Sequence, residues 1–253
     1  MNLFRRIFFA AVLAGLAAGI VMSGLQQWKV APTILAAEVY ENAEAAAPTA
    51  THDHGAVADA AAPTAAVPAH EHDEDAWAPQ DGAERIFYTV LADILAALGF
   101  ALVLAAVSTI VGIPVTAQNG VIWGIAGFVT FHLAPAFGLP PELPGMPAAD
   151  LGARQIWWWA TALCTGAGIL AIARYRNWTA IGIAAVLFLL PHIVGAPAEP
   201  DEVSAVPPQL STEFAAHALT VAAVFWLTVA PLYGYLVSRF AAAETHNSQA
   251  VPA

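Results

Sequence analysis

Charge is scarce in this chain. Asp, Glu, Lys and Arg together supply 11% of its 253 residues, less than half the share of about 25% found in ordinary soluble domains. Apolar residues supply 59%, and so few charges cannot coat a compact water-facing surface around them. Lipid must therefore solvate much of the chain. Cysteine is nearly absent as well. The single Cys164 excludes an internal disulfide framework and any cysteine-rich metal or iron–sulfur site, and its apolar setting reads as a small packed thiol. No G-x-x-x-x-G-K-[ST] segment occurs, which excludes nucleotide hydrolysis by that machinery. The alternating period of a membrane β-barrel is missing too. With 18 Gly and 18 Pro, scattered, the chain is neither collagen-like nor wholly disordered.

What is present is a set of long apolar runs. A hydrocarbon core of about 30 Å needs about 20 mostly apolar residues in a helix. Six stretches qualify, at about residues 7–25, 86–111, 120–139, 155–173, 178–195 and 213–238. The expected fold is therefore an all-α polytopic bundle of about six transmembrane helices. It divides into a first anchor (residues 1–25), an outer loop (26–85), a five-helix bundle (86–240) and a short tail (241–253). Arg5 and Arg6 before the first run resemble the start of a signal peptide. Its apolar length exceeds the usual signal core of about 7–15 residues, so a retained anchor is expected.

Orientation follows from the basic residues. With the N-terminus cytoplasmic, Arg5, Arg6, Arg174, Arg176 and Arg239 lie inside, and Lys29, Arg85 and Arg154 lie outside. The C-terminus is then cytoplasmic, and the expected location is the inner (cytoplasmic) membrane. Seventeen of the nineteen acids fall on outer segments, the exceptions being Asp93 and Glu244. Such an outer face concentrates cations.

The outer loop carries half of the eight histidines, in two clusters: His52-Asp53-His54 and His70-Glu71-His72-Asp73-Glu74-Asp75. Between them runs an Ala/Pro/Thr tract without the large side chains that make a core, so a flexible tether is expected. Imidazole suits zinc, copper, nickel and cobalt, and neighbouring ligands on a mobile chain would capture and hand over ions rather than select them strictly.

Four titratable residues lie within the spans: Asp93, His132, His192 and His217. Such groups are costly in hydrocarbon and mark pathways. The topology puts all four in the outer half, and Glu213 shares a helix face with His217 at i, i+4. Pro135 and Pro191, beside His132 and His192, each leave a carbonyl one turn back without its helical donor. A divalent-ion site formed by Asp93, His132, His192, Glu213 and His217 is the expectation. Asp81 and Arg85, then Asp150 and Arg154, open two of the spans in a similar way. His132 and His192 are each followed by a Gly/Pro stretch ending in Glu, so spans two and three read as a repeat of spans four and five.

Several stretches together resemble the CbtA family, described as probable cobalt transporter subunits. They are Pro32-Thr-Ile-Leu-Ala-Ala-Glu38-Val-Tyr40-Glu41, the His70–Asp75 cluster with Trp77-Ala-Pro79-Gln-Asp81-Gly-Ala-Glu84-Arg85, Phe131-His132-Leu-Ala-Pro135 through Pro140-Pro141-Glu142-Leu-Pro-Gly145, Ala153-Arg154-Gln155, and Leu190-Pro191-His192-Ile-Val-Gly195-Ala-Pro197. The resemblance implies cobalt uptake linked to cobalamin synthesis, and a small single-span, His-bearing partner subunit. His52-Asp53-His54 and the long tether depart from the family pattern. The resulting expectation is a transporter subunit for a divalent transition-metal cation, cobalt foremost. No cofactor and no nucleic-acid partner is expected beyond the ion and the lipid. The alternatives are a nickel or zinc transporter and a non-conducting metal-binding accessory subunit. A membrane enzyme is disfavoured because no nucleophile–base arrangement accompanies the histidines.

Overall fold

The computed structural model describes residues 3–46, 77, 79–200 and 203–249, and these are mostly helical with no strand among them. The protein is an all-α polytopic membrane protein. Four helical stretches are long and apolar enough to cross a membrane: Leu3–Ala43, Ala83–Ile110, Leu151–Tyr175 and Pro208–Glu244. Two more apolar helical stretches, Gly120–Ala136 and Trp178–Val194, are shorter. At 1.5 Å per residue each of these extends roughly 25 Å, the lower limit for a span.

The first helix is longer than its apolar run. Helix α1 (Leu3–Leu25) continues through a π-helical turn, Gln26–Val30, into α2 (Ala31–Ala46). The sequence reading ends this span at Leu25 and assigns residue 26 onward to the loop. Gln26, Gln27, Glu38 and Glu41 make this stretch more polar, yet they lie in an alanine-rich segment of high helix propensity that contains no glycine. The wider π turn takes up the break at Pro32, which cannot donate to the helical ladder. The chain end behaves likewise: α8 (Pro208–Gln249) runs through residues expected as a tail. The two histidine clusters lie outside the described residues.

Small residues set the packing. On α3 (Ala83–Ile110) the buried positions Asp93, Ala97, Ala101, Leu104, Ala105 and Ser108 recur at helical spacing, and they meet Ala10, Ala14 and Ala18 of α1. A Cβ on Gly15 or Gly19 would lie 2.9 Å from the backbone of Leu98 or Ile94, so the two helices touch backbone to backbone, antiparallel. Helix α4 (Gly120–Phe128) approaches α8 in the same manner. Cβ atoms on Gly120 and Gly124 would fall 2.5 Å and 2.6 Å from Pro231 Cα and Trp226 O. Close approach through glycine is the usual route to dispersion energy in lipid, where no hydrophobic drive exists. Beyond α4 the chain makes a second π turn, Val129–Leu133, and a last turn, α5 (Ala134–Ala136).

Helices α6 (Leu151–Tyr175) and α7 (Trp178–Val194) form an antiparallel hairpin. Arg176, in the left-handed region at φ 51°, ends α6. Asn177 Oδ1 then caps α7 by accepting from Ala180 N at 2.8 Å. In contrast, α3 packs on α1 while α4 packs on α8. The hairpin geometry of α6–α7 is therefore not repeated by α3–α4, and the repeat read from the sequence has no counterpart in the packing.

One end of the molecule gathers the acids, the other the arginines. At the acidic end Arg85 pairs with Glu38 of α2 and, at 3.1 Å, with Asp81. Arg154 pairs with Glu142 at 2.7 Å. A small apolar cap of Ala37, Leu143 and Val206 ties α2, the segment before α6 and the start of α8 together. At the basic end Arg6 meets Glu244 at 3.4 Å.

Candidate functional site

A cavity of about 390 Å³ opens at the acidic end, where the second π turn, the segment after α5, the first turns of α6 and the early part of α8 meet. Its polar groups are His132, Glu142, Arg154 and Gln155; its walls are Phe131, Trp158, Trp159, Leu219 and three prolines, Pro135, Pro140 and Pro141. The segment that carries Glu142 is held from both sides. Leu143 is buried in the apolar cap, and Gly138 lies so close to Trp157 that a Cβ there would sit 2.4 Å from the indole ring.

His132 projects from the π turn. Widened turns of this kind redirect side chains and are frequent at functional sites. The ring lies among Phe100, Phe128 and Trp226. Trp226, itself buried, donates its indole N–H to His132 Nδ1 at 3.2 Å. In a neutral imidazole with Nδ1 accepting, Nε2 carries the proton. The ring therefore presents a donor to its surroundings in this state, and lone-pair ligation requires Trp226 to release Nδ1.

Among the polar side chains that line the cavity, Glu142 has a buried oxygen without a hydrogen-bond partner. One carboxylate oxygen, Oε2, receives Arg154. The other, Oε1, is buried with no hydrogen-bond partner. Loss of water raises the Glu142 pKa above the usual carboxylate range; Arg154 opposes the rise and the nearby negative charge of Glu199 adds to it. Desolvation outweighs the single cation because a guanidinium that is itself partly exposed is screened by water.

The five residues expected to converge do not. Among the described residues no three His, Cys, Asp or Glu side chains gather in a way that could hold a metal ion. Asp93 is buried on the face of α3 that packs on α1, and its Oδ2 has no hydrogen-bond partner. His132 touches Phe100, two helical turns farther along α3, a separation of about 10 Å. His192 is exposed on α7 beside Trp157 and Phe137. Glu213 is exposed, and His217 Nδ1 is buried without a partner, so their i, i+4 spacing yields no hydrogen bond. Sequence depth alone cannot supply the rotation of each helix, and here the rotations separate these groups. Near Pro191, Trp157 Nε1 donates to the Pro191 carbonyl at 3.1 Å, a different carbonyl from the one freed a turn back. His52, His54, His70 and His72 lie outside the described residues.

Two residues of the cavity went unassigned in the sequence reading, Glu142 and Arg154. A signal existed for both. Glu142 follows two prolines, which hold it on a stiff segment. Arg154 follows the cap residue Asp150, whose Oδ1 accepts from Ala153 N at 2.9 Å and is thus committed to the helix end.

No curated protein and no solved structure matches the chain. The model of the CbtA family, described as "Probable cobalt transporter subunit", matches residues 4–238. That match takes in every helix that lines the cavity, and by it the chain belongs to the CbtA family.

Proposed function

We propose that this chain is the membrane subunit of a cobalt importer, and that the ion travels through the acidic-end cavity from Glu142 towards His132. The observation that supports this reading is the cavity itself: a carboxylate with an uncommitted oxygen and an imidazole share one space in a chain of a cobalt transporter family. Carboxylate and imidazole together suit cobalt, nickel and zinc; the family description favours cobalt among them. An inside-negative membrane favours inward movement of a divalent ion by about 5 kcal/mol per 100 mV.

In this scheme the His52–His54 and His70–His72 clusters collect the ion outside, and the acidic face holds it near the cavity. His132 receives it when Trp226 lets go of Nδ1. His192, His217, Glu213 and Asp93 stand apart from this route, each with its own surroundings. A version lacking residues 45–75 should need more external cobalt for half-maximal uptake yet reach the same maximum. His132→Ala should cut accumulation at least tenfold at micromolar supply; accumulation equal to wild type would reject the route.

The family description names a subunit, which favours a second reading in which this chain binds the ion and another chain conducts it. Reconstitution of the chain alone in sealed vesicles separates the two: cobalt uptake without a partner supports conduction by this chain, and binding without uptake supports the accessory role.

A further inference from the structure

The cavity makes no use of Asp93, the acid buried within a span. Asp93 lies nearly three turns into α3, is 6% exposed, and has a buried Oδ2 without a hydrogen-bond partner. A Cβ on Gly19 of α1 would lie 2.9 Å from Ile94 Cα and 3.1 Å from Ala97 Cβ. In this antiparallel pair the next turn of α1 therefore brings Ser23 against the turn that holds Asp93. Ser23 is buried too, and its hydroxyl donates to Gly19 O at 2.9 Å, so its one proton is committed to its own helix. Among the described residues no ion pair includes Asp93. Arg85, about two turns nearer the acidic end, is held by Glu38 of α2 and by Asp81. Lys29 of the first π turn is exposed and lies over Trp28. On α8, Glu213 is exposed and His217 Nδ1 has no partner.

We propose that Asp93 is a proton-binding site: it holds a proton as a neutral carboxylic acid while α1 and α3 are in contact, and releases it to water when the two helices part. An ionised carboxylate in this place would keep a full charge with neither donor nor counter-ion, at a cost of several kcal/mol. A neutral carboxyl escapes that cost and has a proton to give, and Ser23 Oγ, its own proton spent, is free to accept it. The backbone contact at Gly15 and Gly19 keeps solvent from the carboxyl, so ionisation requires the helices to separate there. Proton release and the departure of α1 from α3 are then one equilibrium, and pH sets how often the interface opens. When the open state holds one proton fewer, each pH unit raises its population about tenfold. This site is separate from the ion's route through the cavity.

Infrared spectroscopy of the full chain in lipid nanodiscs tests the site. At neutral pH the wild type should show the carbonyl stretch of a protonated carboxylic acid. Carbon-13 at the side-chain carboxyl of aspartate should shift that band, a control that needs no variant; Asp81 and Asp150 are exposed. The band should vanish in Asp93→Asn and remain in Glu142→Gln, which removes the buried acid of the cavity. Hydrogen exchange read by mass spectrometry tests the link to helix contact. In Asp93→Asn the segments around Gly19 and Asp93 should follow the intrinsic pH dependence alone. Wild-type exchange there should rise about tenfold per pH unit relative to the variant. If Asp93→Asn does not fold, wild-type rates corrected for intrinsic exchange give the same slope. A wild type without an aspartate-derived band overturns the proton site. A band accompanied by no excess slope overturns its coupling to the α1–α3 contact.

Discussion

At the scale of single residues, two pairings set the polar character of the cavity, Trp226 with His132 and Arg154 with Glu142. Trp226→Phe preserves the aromatic contacts of the ring but leaves His132 Nδ1 without its donor. A lost hydrogen bond of this kind costs about 1 kcal/mol, and chemical unfolding of the variant in detergent should show a loss of that order. Glu142 gives a pH dependence with a definite sign. Its folded pKa is raised by desolvation, so the neutral form is favoured on folding. The stability it contributes is present below the ordinary carboxylate pKa of about 4.3 and is lost as pH rises through the elevated folded value. In metal-free buffer Glu142→Gln should therefore melt at the same temperature as wild type at low pH. It should melt higher than wild type once the pH is above that range. A wild type that gains on the variant as pH rises would contradict the assignment.

Elements are held mainly by glycine contacts, and these make sharp contrasts. A Cβ on Gly127 would sit 2.2 Å from the Trp226 ring, whereas one on Gly182 meets nothing within 4 Å. Gly127→Ala should destabilise the α4–α8 pair by roughly 1–3 kcal/mol, as overpacking does. Gly182→Ala should be neutral or stabilising by up to about 1 kcal/mol, through helix propensity. Thermal scans of the two purified variants check this directly, and equal effects would refute the packing. Other helical glycines separate in the same way. Gly124, Gly127, Gly166 and Gly168 abut α8, Thr130 or Phe188, while Gly99 touches no side chain. Spacing alone did not reveal that difference, because it depends on which face of α3 meets α1.

At the scale of the whole molecule, much of the architecture was legible. All six apolar runs are helical, since twenty lipid-facing apolar residues leave the backbone no other way to satisfy its polar groups. The boundaries were less legible where polar residues continue a helix, as at Gln26–Ala46, because a solvated helix face and a loop share the same composition. The site was legible only in part. His132 was marked by its cost in hydrocarbon, but its partner in the cavity was marked by no such cost. Glu142 lies beyond the last turn of its span, where an acid is ordinary, and it reaches His132 only through a chain path bent by Pro135, Pro140 and Pro141. The expected five-residue convergence failed because residues at one depth can face five directions. A bundle joined by α8, with the α6–α7 hairpin alongside the cavity, instead makes a site from neighbouring elements at one end.

The central claim is that cobalt crosses this protein by way of the cavity that holds Glu142 and His132. It is tested most directly by radiolabelled cobalt flux into sealed vesicles carrying wild type or the Glu142→Gln/His132→Ala double variant, under an inside-negative potential and with any co-purifying subunit retained. Wild-type vesicles should accumulate cobalt, and the double variant should retain less than a tenth of that rate with its fold intact. Equal flux through the two would contradict the account.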